Sequence, residues 1–329
     1  MTRRRDLLLG TAAVTSAALV SRLVSAQAKY PERAVRLVIP FAPGGVNDAI
    51  GRPWADRMKP LLGTVVVENQ GGGGGSLGAA SVARAAPDGY TILLGGGGSL
   101  IITPIAAQRP PYDPIKDFEP ISILAVTGLV IAVHPALPVG TLKELIAYAM
   151  ANPGKLSYGS AGTGSFNHLT GELLKSISGG PDIVHVPYKG AGPAMADAVS
   201  GHIPIIVPNV TGQVIELYRA GKLKLLAVTL PERLPQLPEI PTAIEAGFGG
   251  MVAQNFVGLF APSGTPQAIV AQVAQATRNV MTDPEFQRLL VTSGFAPQVD
   301  SGPDRARRFL SDEIARWTPV IKGLGLRLD

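Results

Sequence analysis

Short apolar runs, each followed by a glycine-rich loop and then a helical pattern, recur along most of this chain. Val35–Ile39 reads as a strand, the loop at 41–45 follows, and Val46–Leu62 carries apolar residues at helical spacing. Residues 64–68 form a second strand pattern, 76–86 a helix of small residues, and 90–94 a third strand. Thr141 and Glu144 make a capping box ahead of 145–150, which Asn152-Pro153-Gly154 stops. A strand at 156–158 precedes a helix at 165–178 with Leu169, Leu173, Leu174 and Ile177 on one face. Residues 183–186, 203–207 and 223–229 are further strands, and helices follow at Gln267–Met281, 284–293 and 303–321. Two long apolar stretches, 121–134 and 251–261, lack a helical period; they read as strands crossing between lobes or as ordinary core strands. The segment 231–241 holds four prolines and reads as an extended surface connection. Pro53 conflicts with the first helix, since a mid-helix proline loses a hydrogen bond and costs about 3 kcal/mol; a kink or irregular start is expected there.

Alternating strands and helices predict an α/β fold with a mostly parallel sheet in each of two lobes. Such sheets bind ligands beyond the carboxyl ends of their strands, and the glycine-rich loops at 41–45, 71–78, 95–99, 160–165 and 189–192 fall at those ends. Glycine lets backbone approach a ligand closely, and helix starts carry unpaired N–H groups suited to anions. The pattern points to a small acid held by main-chain donors.

Before the first strand, Arg3-Arg4-Arg5 precede an apolar segment, and Ser25-Ala26-Gln27-Ala28 offers a small-x-small cleavage site. This order predicts an export signal over residues 1–28, of Tat-like or Sec type. The 329 residues include no cysteine, which excludes disulfides, a thiolate nucleophile and lipid attachment at a cysteine. An exported, unanchored chain is expected in the periplasm. The net charge of +5 is mostly the signal's; Arg3, Arg4, Arg5 and Arg22 against Asp6 leave the mature chain near +2. With few aromatics, this balance argues against nucleic acid.

Other chemistries find little support. Gly73 to Gly78 satisfies G-x-G-x-x-G, but no acid ends the next strand to hold a ribose. Tyr158-Gly159-Ser160-Ala161-Gly162 lacks the first glycine of a nucleophile elbow, so Ser160, Thr163 and Ser165 read as hydroxyl donors. The four histidines show no metal-ligand spacing. His168, in the first turn of a helix, is either a ligand donor or a cap-region histidine bonded to backbone; His185, inside an apolar strand, reads as structural. No catalytic residue, cofactor or metal is expected.

An ordered set of phrases resembles the periplasmic receptors of tripartite tricarboxylate transporters, the Bug family. It includes Val38-Ile39-Pro40-Phe41 with Pro43-Gly44-Gly45 and Asp48, Val67-Glu68-Asn69, Ala86-Pro87-Asp88-Gly89-Tyr90, Asn152-Pro153-Gly154-Lys155, His185-Val186-Pro187-Tyr188-Lys189-Gly190 and Ala261-Pro262 with Gly264-Thr265-Pro266. The resemblance covers nearly all of the mature chain. It implies a two-lobed type II periplasmic binding fold with two crossover strands as hinge. Lobe 1 would be 29–126 plus 258–329, and lobe 2 would be 127–257. It implies a monomer that captures a small carboxylate or dicarboxylate without an enzymatic step, for inner-membrane transporter subunits or, alternatively, a sensor kinase; an exported small-ester hydrolase is the remote alternative.

By the same resemblance, ligand-binding groups would come from Phe41, Ala42, Pro43, Gly44, Gly45, Asn47 and Asp48, and from Gly97, Gly98 and Ser99 across the first lobe. Ser160, Gly162, Thr163, Gly164, Ser165 and His168 would hold the ligand's other polar end, with Asn209 adding a side chain. Pro204 and Pro208 stand where the family often carries acidic residues, which disfavours a ligand ammonium and favours a plain carboxylate.

Overall fold

The computed structural model describes residues 30–328; the expected export signal lies outside the described residues. From Arg33 onward, two mixed sheets organise the chain. The six-stranded sheet contains β1 (Val35–Ile39), β2 (Val65–Asn69), β3 (Thr91–Gly96), β4 (Phe118–Gly128), β10 (Gln254–Pro262) and β11 (Phe295–Pro297) in the order β11-β4-β10-β3-β1-β2. The five-stranded sheet contains β5 (Val130–Val133), β6 (Leu156–Ser160), β7 (Ile183–Pro187), β8 (Ile205–Ile206) and β9 (Lys224–Val228) in the order β7-β6-β8-β5-β9.

Parallel pairing, expected to predominate, is confined to β1 with β2 and β3, and to β6 with β7 and β8. The strands nearest the crossings pair antiparallel: β10 lies between β3 and β4, and β5 between β8 and β9. A chain that must leave one sheet, build the other and return enters and exits in opposite directions. The apolar run that begins in β4 continues past Leu129 into β5 of the other sheet. The return passes near Ala253, whose N–H donates to the Thr229 carbonyl (2.9 Å) just before β10.

Helices follow the predicted pattern with shifted ends. They are α1 (Val46–Leu62), α2 (Ser76–Ala83), a π turn (Gly98–Ile102) running into α3 (Thr103–Ala106), α4 (Leu142–Ala151), α5 (Phe166–Ile177), α6 (Ala191–Ser200), α7 (Gly212–Arg219), α8 (Gln267–Met281), α9 (Pro284–Thr292) and α10 (Pro303–Gly323). α1 continues through Pro53 without a break. Ile50, Trp54 and Met58 are fully buried on its inner face, and such packing, rather than propensity, carries most helical stability in proteins. The expected glycine loop after β3 begins two residues late, because Gly95 and Gly96 stay in the strand and pair with Gly258 and Val257. Among the described residues, no helix is long and apolar enough to cross a membrane.

Thr229 ties the two crossings together. Its hydroxyl accepts from the Leu129 N–H (2.9 Å) and donates to the Ala253 carbonyl (2.7 Å), and the residue is fully buried. Thr229→Val keeps the shape and orphans the Leu129 N–H, so urea denaturation should show a loss of about 1–3 kcal/mol. A change below about 0.5 kcal/mol, the usual scale of a surface substitution, would remove Thr229 from this role.

Candidate functional site

The loops after β1 and β3 and those after β6, β7 and β8 converge on one narrow cleft. The first lobe contributes Phe41, Gly45, Val46, Asn47, Asp48, Gly96, Gly97 and Gly98, and β10 adds Asn255. The second contributes Ala161, Phe166, Asn167, Ala191 and Asn209. The lobes also touch directly beside it. The Ala42 N–H donates to the Lys189 carbonyl at 3.1 Å. A Cβ on Gly192 would collide with the Pro43 carbonyl oxygen, and one on Gly74 with that of Thr163. Glycine was expected to admit a ligand; at these two positions it admits the backbone of the opposite lobe.

Two helices aim their N-termini at this space. α1 starts at Gly45 and α6 at Gly190, and neither first turn has a side-chain cap. Among the described residues, the N–H groups of Val46, Asn47 and Asp48 therefore lack a protein acceptor, as do those of Ala191 and Gly192. Thr141, Ser165, Thr211 and Asp283 cap α4, α5, α7 and α9, and α2, α8 and α10 also start without a side-chain cap; what sets α1 and α6 apart is that their first residues line the cleft. Uncapped helix starts facing one cavity from both sides give it positive potential without a cation.

Among the described residues, Asp48 is the one charged side chain in the wall. Arg52 holds its carboxylate at 2.8 Å, and the Asn69 amide donates to both oxygens at 3.2 Å. The charge is thereby neutralised locally and turned toward α1 and β2. Asn69 also donates to the Phe41 carbonyl at 2.9 Å, which fixes the loop at 41–45 to the sheet.

Buried asparagines set the remaining polarity. Asn47 donates its amide to the Leu94 carbonyl, and Asn167 donates to that of Val207, both at 2.7 Å. A carbonyl can only accept, so each side chain keeps its own oxygen for the cleft it lines.

Of the residues expected from the sequence, Phe41, Gly45, Asn47, Asp48, Gly97, Gly98 and Asn209 line the cleft. Ala42, Pro43, Gly44, Ser99, Ser160, Gly162, Thr163, Gly164, Ser165 and His168 are not among its lining residues. The hydroxyls among them are engaged locally. Ser165 caps α5 by accepting from the His168 N–H, and Ser99 accepts from the Gly96 N–H. Pro204 and Pro208 are outside the lining too, and their carbonyls accept from His134, just after β5, and from Val130 in β5. Lys189 is exposed, while its carbonyl serves the seam. Val46, Gly96, Ala161 and Ala191 lie in loops the sequence pointed to without being singled out, and sequence reasoning missed Phe166, Asn167 and Asn255. Asn167 had a usable signal, a polar residue in the first turn after a glycine loop. Asn255 had none, because it sits in an apolar run on a crossing strand.

Behind the second-lobe loop lies a compact aromatic brace. The His185 ring stacks on His168 (4.0 Å, 15°) and on Tyr158 (4.9 Å, 29°). His185 Nε2 meets the Ser160 hydroxyl at 2.6 Å, and the Gly164 N–H donates to His168 Nδ1. The Tyr158 hydroxyl donates to Glu172 at 2.8 Å. Burial, followed by the nearby His168 and Lys175, pushes the His185 pKa down to about 3. Burial lowers that of His168 too, against an opposing pull from Glu172. Both rings are neutral at neutral pH and hold the loop at 160–165 from behind.

Side-chain polarity and helix starts converging between two mixed sheets define a two-lobed solute-binding protein. The family model of the tripartite tricarboxylate transporter family receptor, TctC, matches residues 50–326, and the chain belongs to that family. It is similar to the solved periplasmic binding protein BugD (TM-score 0.87, 35% identity, covering 91% of this chain and 99% of that one). It is also similar to MatC from Rhodopseudomonas palustris with bound malate (0.85, 32%, covering 89% and 100%). A third similar structure is Rpa4515 of R. palustris with adipate (0.85, 34%, covering 91% and 99%).

Two outcomes follow from this geometry. Gly192 does not have a positive φ, so Gly192→Ala suits its own helix and clashes only with Pro43 across the seam. Small-angle scattering should show a larger radius of gyration than wild type, with unfolding stability kept; an identical profile would sink the seam argument. The histidine pair sets a pH dependence. A depressed histidine pKa contributes stability above the unfolded value of 6.5, lost as pH falls toward the folded value of about 3. Denaturation at pH 7, 5 and 4 should show stability falling with pH, with a shallower fall in His185→Gln.

Proposed function

We propose that this chain is a periplasmic receptor that captures a small carboxylate or dicarboxylate between its lobes for a tripartite tricarboxylate-type transporter of the inner membrane. The observation that carries the reading is the pair of uncapped helix starts, α1 and α6, bracketing one cleft whose only charged side chain among the described residues is already paired. An acidic guest supplies the acceptors those N–H groups lack. MatC with malate and Rpa4515 with adipate, both at about a third identity over nearly the whole fold, support the same ligand class.

In this reading, lobe 1 comprises 29–126 and 258–329, lobe 2 comprises 127–257, and residues 1–28 are the export signal removed on reaching the periplasm. Phe41, Gly45, Asn47, Asp48, Gly97, Gly98 and Asn209 face the ligand. Ser99, Ser160, Ser165 and His168 act from behind the wall by holding its loops. No enzymatic step is involved: Ser160 is buried, its hydroxyl accepts from the Gly162 N–H of its own loop, and it does not line the cleft. A ligand touching both helix starts stabilises the closed arrangement, which is the state a membrane partner would recognise.

Calorimetric titration with C4 to C6 mono- and dicarboxylates should give at least one saturable ligand. Asn209→Ala should weaken it by about 1–3 kcal/mol, the scale of a hydrogen bond to a charged group. Flat titrations across the series, with protein that unfolds cooperatively, would overturn the receptor reading.

A further inference from the structure

We propose that Asn255 is a positioning residue that fixes which face of the Asn209 amide the cleft presents, and so makes this point of the site select a carboxylate over an amide. The proposal deepens the receptor reading and rests on it.

Asn255 lies at the start of β10, where the chain has just returned from the second sheet, and it is 6% exposed. Its Oδ1 accepts two backbone N–H groups, from Gly97 in the first-lobe loop and from Phe256, each at 3.0 Å. Backbone N–H groups only donate, so the oxygen of this side chain is identified by its partners and its NH2 must point the other way. That NH2 meets Asn209 Oδ1 at 3.0 Å. Asn209 stands in the second-lobe segment after β8 and lines the same cleft. Facing a donor, it must offer its oxygen, which leaves its own NH2 free. Among the described residues Asn209 Nδ2 has no protein acceptor, and it is not sealed away from solvent. The cleft therefore meets a donor here, whereas Asn47 and Asn167 give it oxygens.

Without Asn255, little else would decide the matter. The terminal torsion of asparagine is broad and roughly two-fold, so a free Asn209 could show either face. A carboxylate oxygen only accepts, whereas an amide of the same outline offers both a donor and an acceptor. A fixed NH2 thus discriminates between two ligand ends of equal shape. Because Gly97 belongs to one lobe and Asn209 to the other, Asn255 sets this polarity only when both loops are in place.

The test compares each acid with its monoamide, succinate against succinamate and adipate against adipamate, by calorimetry on the mature protein. Wild type should favour the acid by about tenfold or more, the scale of a charge-assisted hydrogen bond. Asn255→Asp still accepts from Gly97 and Phe256 but cannot donate. Asn209 must then turn its NH2 toward residue 255 and its oxygen toward the ligand. The acid preference should fall by about tenfold or more. A new negative charge would also repel acids, so the same substitution is made in an Asn209→Ala background. There the remaining shift reports the charge alone, and it should be smaller by about threefold or more than the shift with Asn209 present, since the coupling through Asn209 has been removed. Equal shifts in both backgrounds, or no shift in either, overturn the proposal. A separate readout needs no ligand. The side-chain amide signals of Asn209, assigned by their loss in Asn209→Ala, should move in N255D, and unmoved signals overturn the proposal. If wild type binds neither member of any pair, the receptor reading falls alone, and the amide signals still decide the orientation.

Discussion

Close contact between the backbones of the two lobes is the constraint on which the rest of the site depends. At Gly192 against Pro43 and at Gly74 against Thr163, no side chain stands between the main chains. The Ala42 N–H reaches the Lys189 carbonyl across the same seam. Only at that separation do the starts of α1 and α6 bracket one cavity, and only there does Asn255 reach Gly97 and Asn209 together. An opening of a few ångströms would leave two half-sites, each with donors turned to water.

The polarity of the cleft arises from fixed dipoles. Helix starts supply N–H groups with no internal acceptor, and buried carbonyls and N–H groups set the asparagine amides. The Asp48 carboxylate is occupied by Arg52 and Asn69 and orders the loop. Such a site has little to reorganise when an anion enters, and charge-assisted hydrogen bonds in a closed space are stronger than in water. The histidine–tyrosine brace behind the second-lobe loop works in the same sense, since its neutral rings hold the loop without adding charge near the ligand.

Much of the architecture was legible in the residues. The strand–helix alternation, the extended character of the run from β4 into β5, and helices such as Gln267–Met281 follow from apolar period and turn chemistry, which act locally, while the choice between a crossing and an ordinary core strand stayed open. First-lobe site residues were readable where a glycine loop led straight into a helix, as at Gly45 and Asn47. Hydroxyl residues of the second-lobe loop were less informative. Ser165 is a helix cap and Ser160 a partner for His185, and sequence does not separate a hydroxyl that caps a helix from one that faces a ligand.

The chain alone determined which segments could be strands and helices, that no cysteine chemistry was possible, and that glycine-rich turns would sit at strand ends, because these depend on near neighbours and residue type. Tertiary structure decided the antiparallel pairing at the crossings, the use of glycine for contact between lobes, and the orientation of Asn47, Asn167, Asn209 and Asn255. Each of those depends on a partner far away in the chain: 158 positions separate Gly97 from Asn255. A side-chain amide has no preferred face until folding brings such a partner to it.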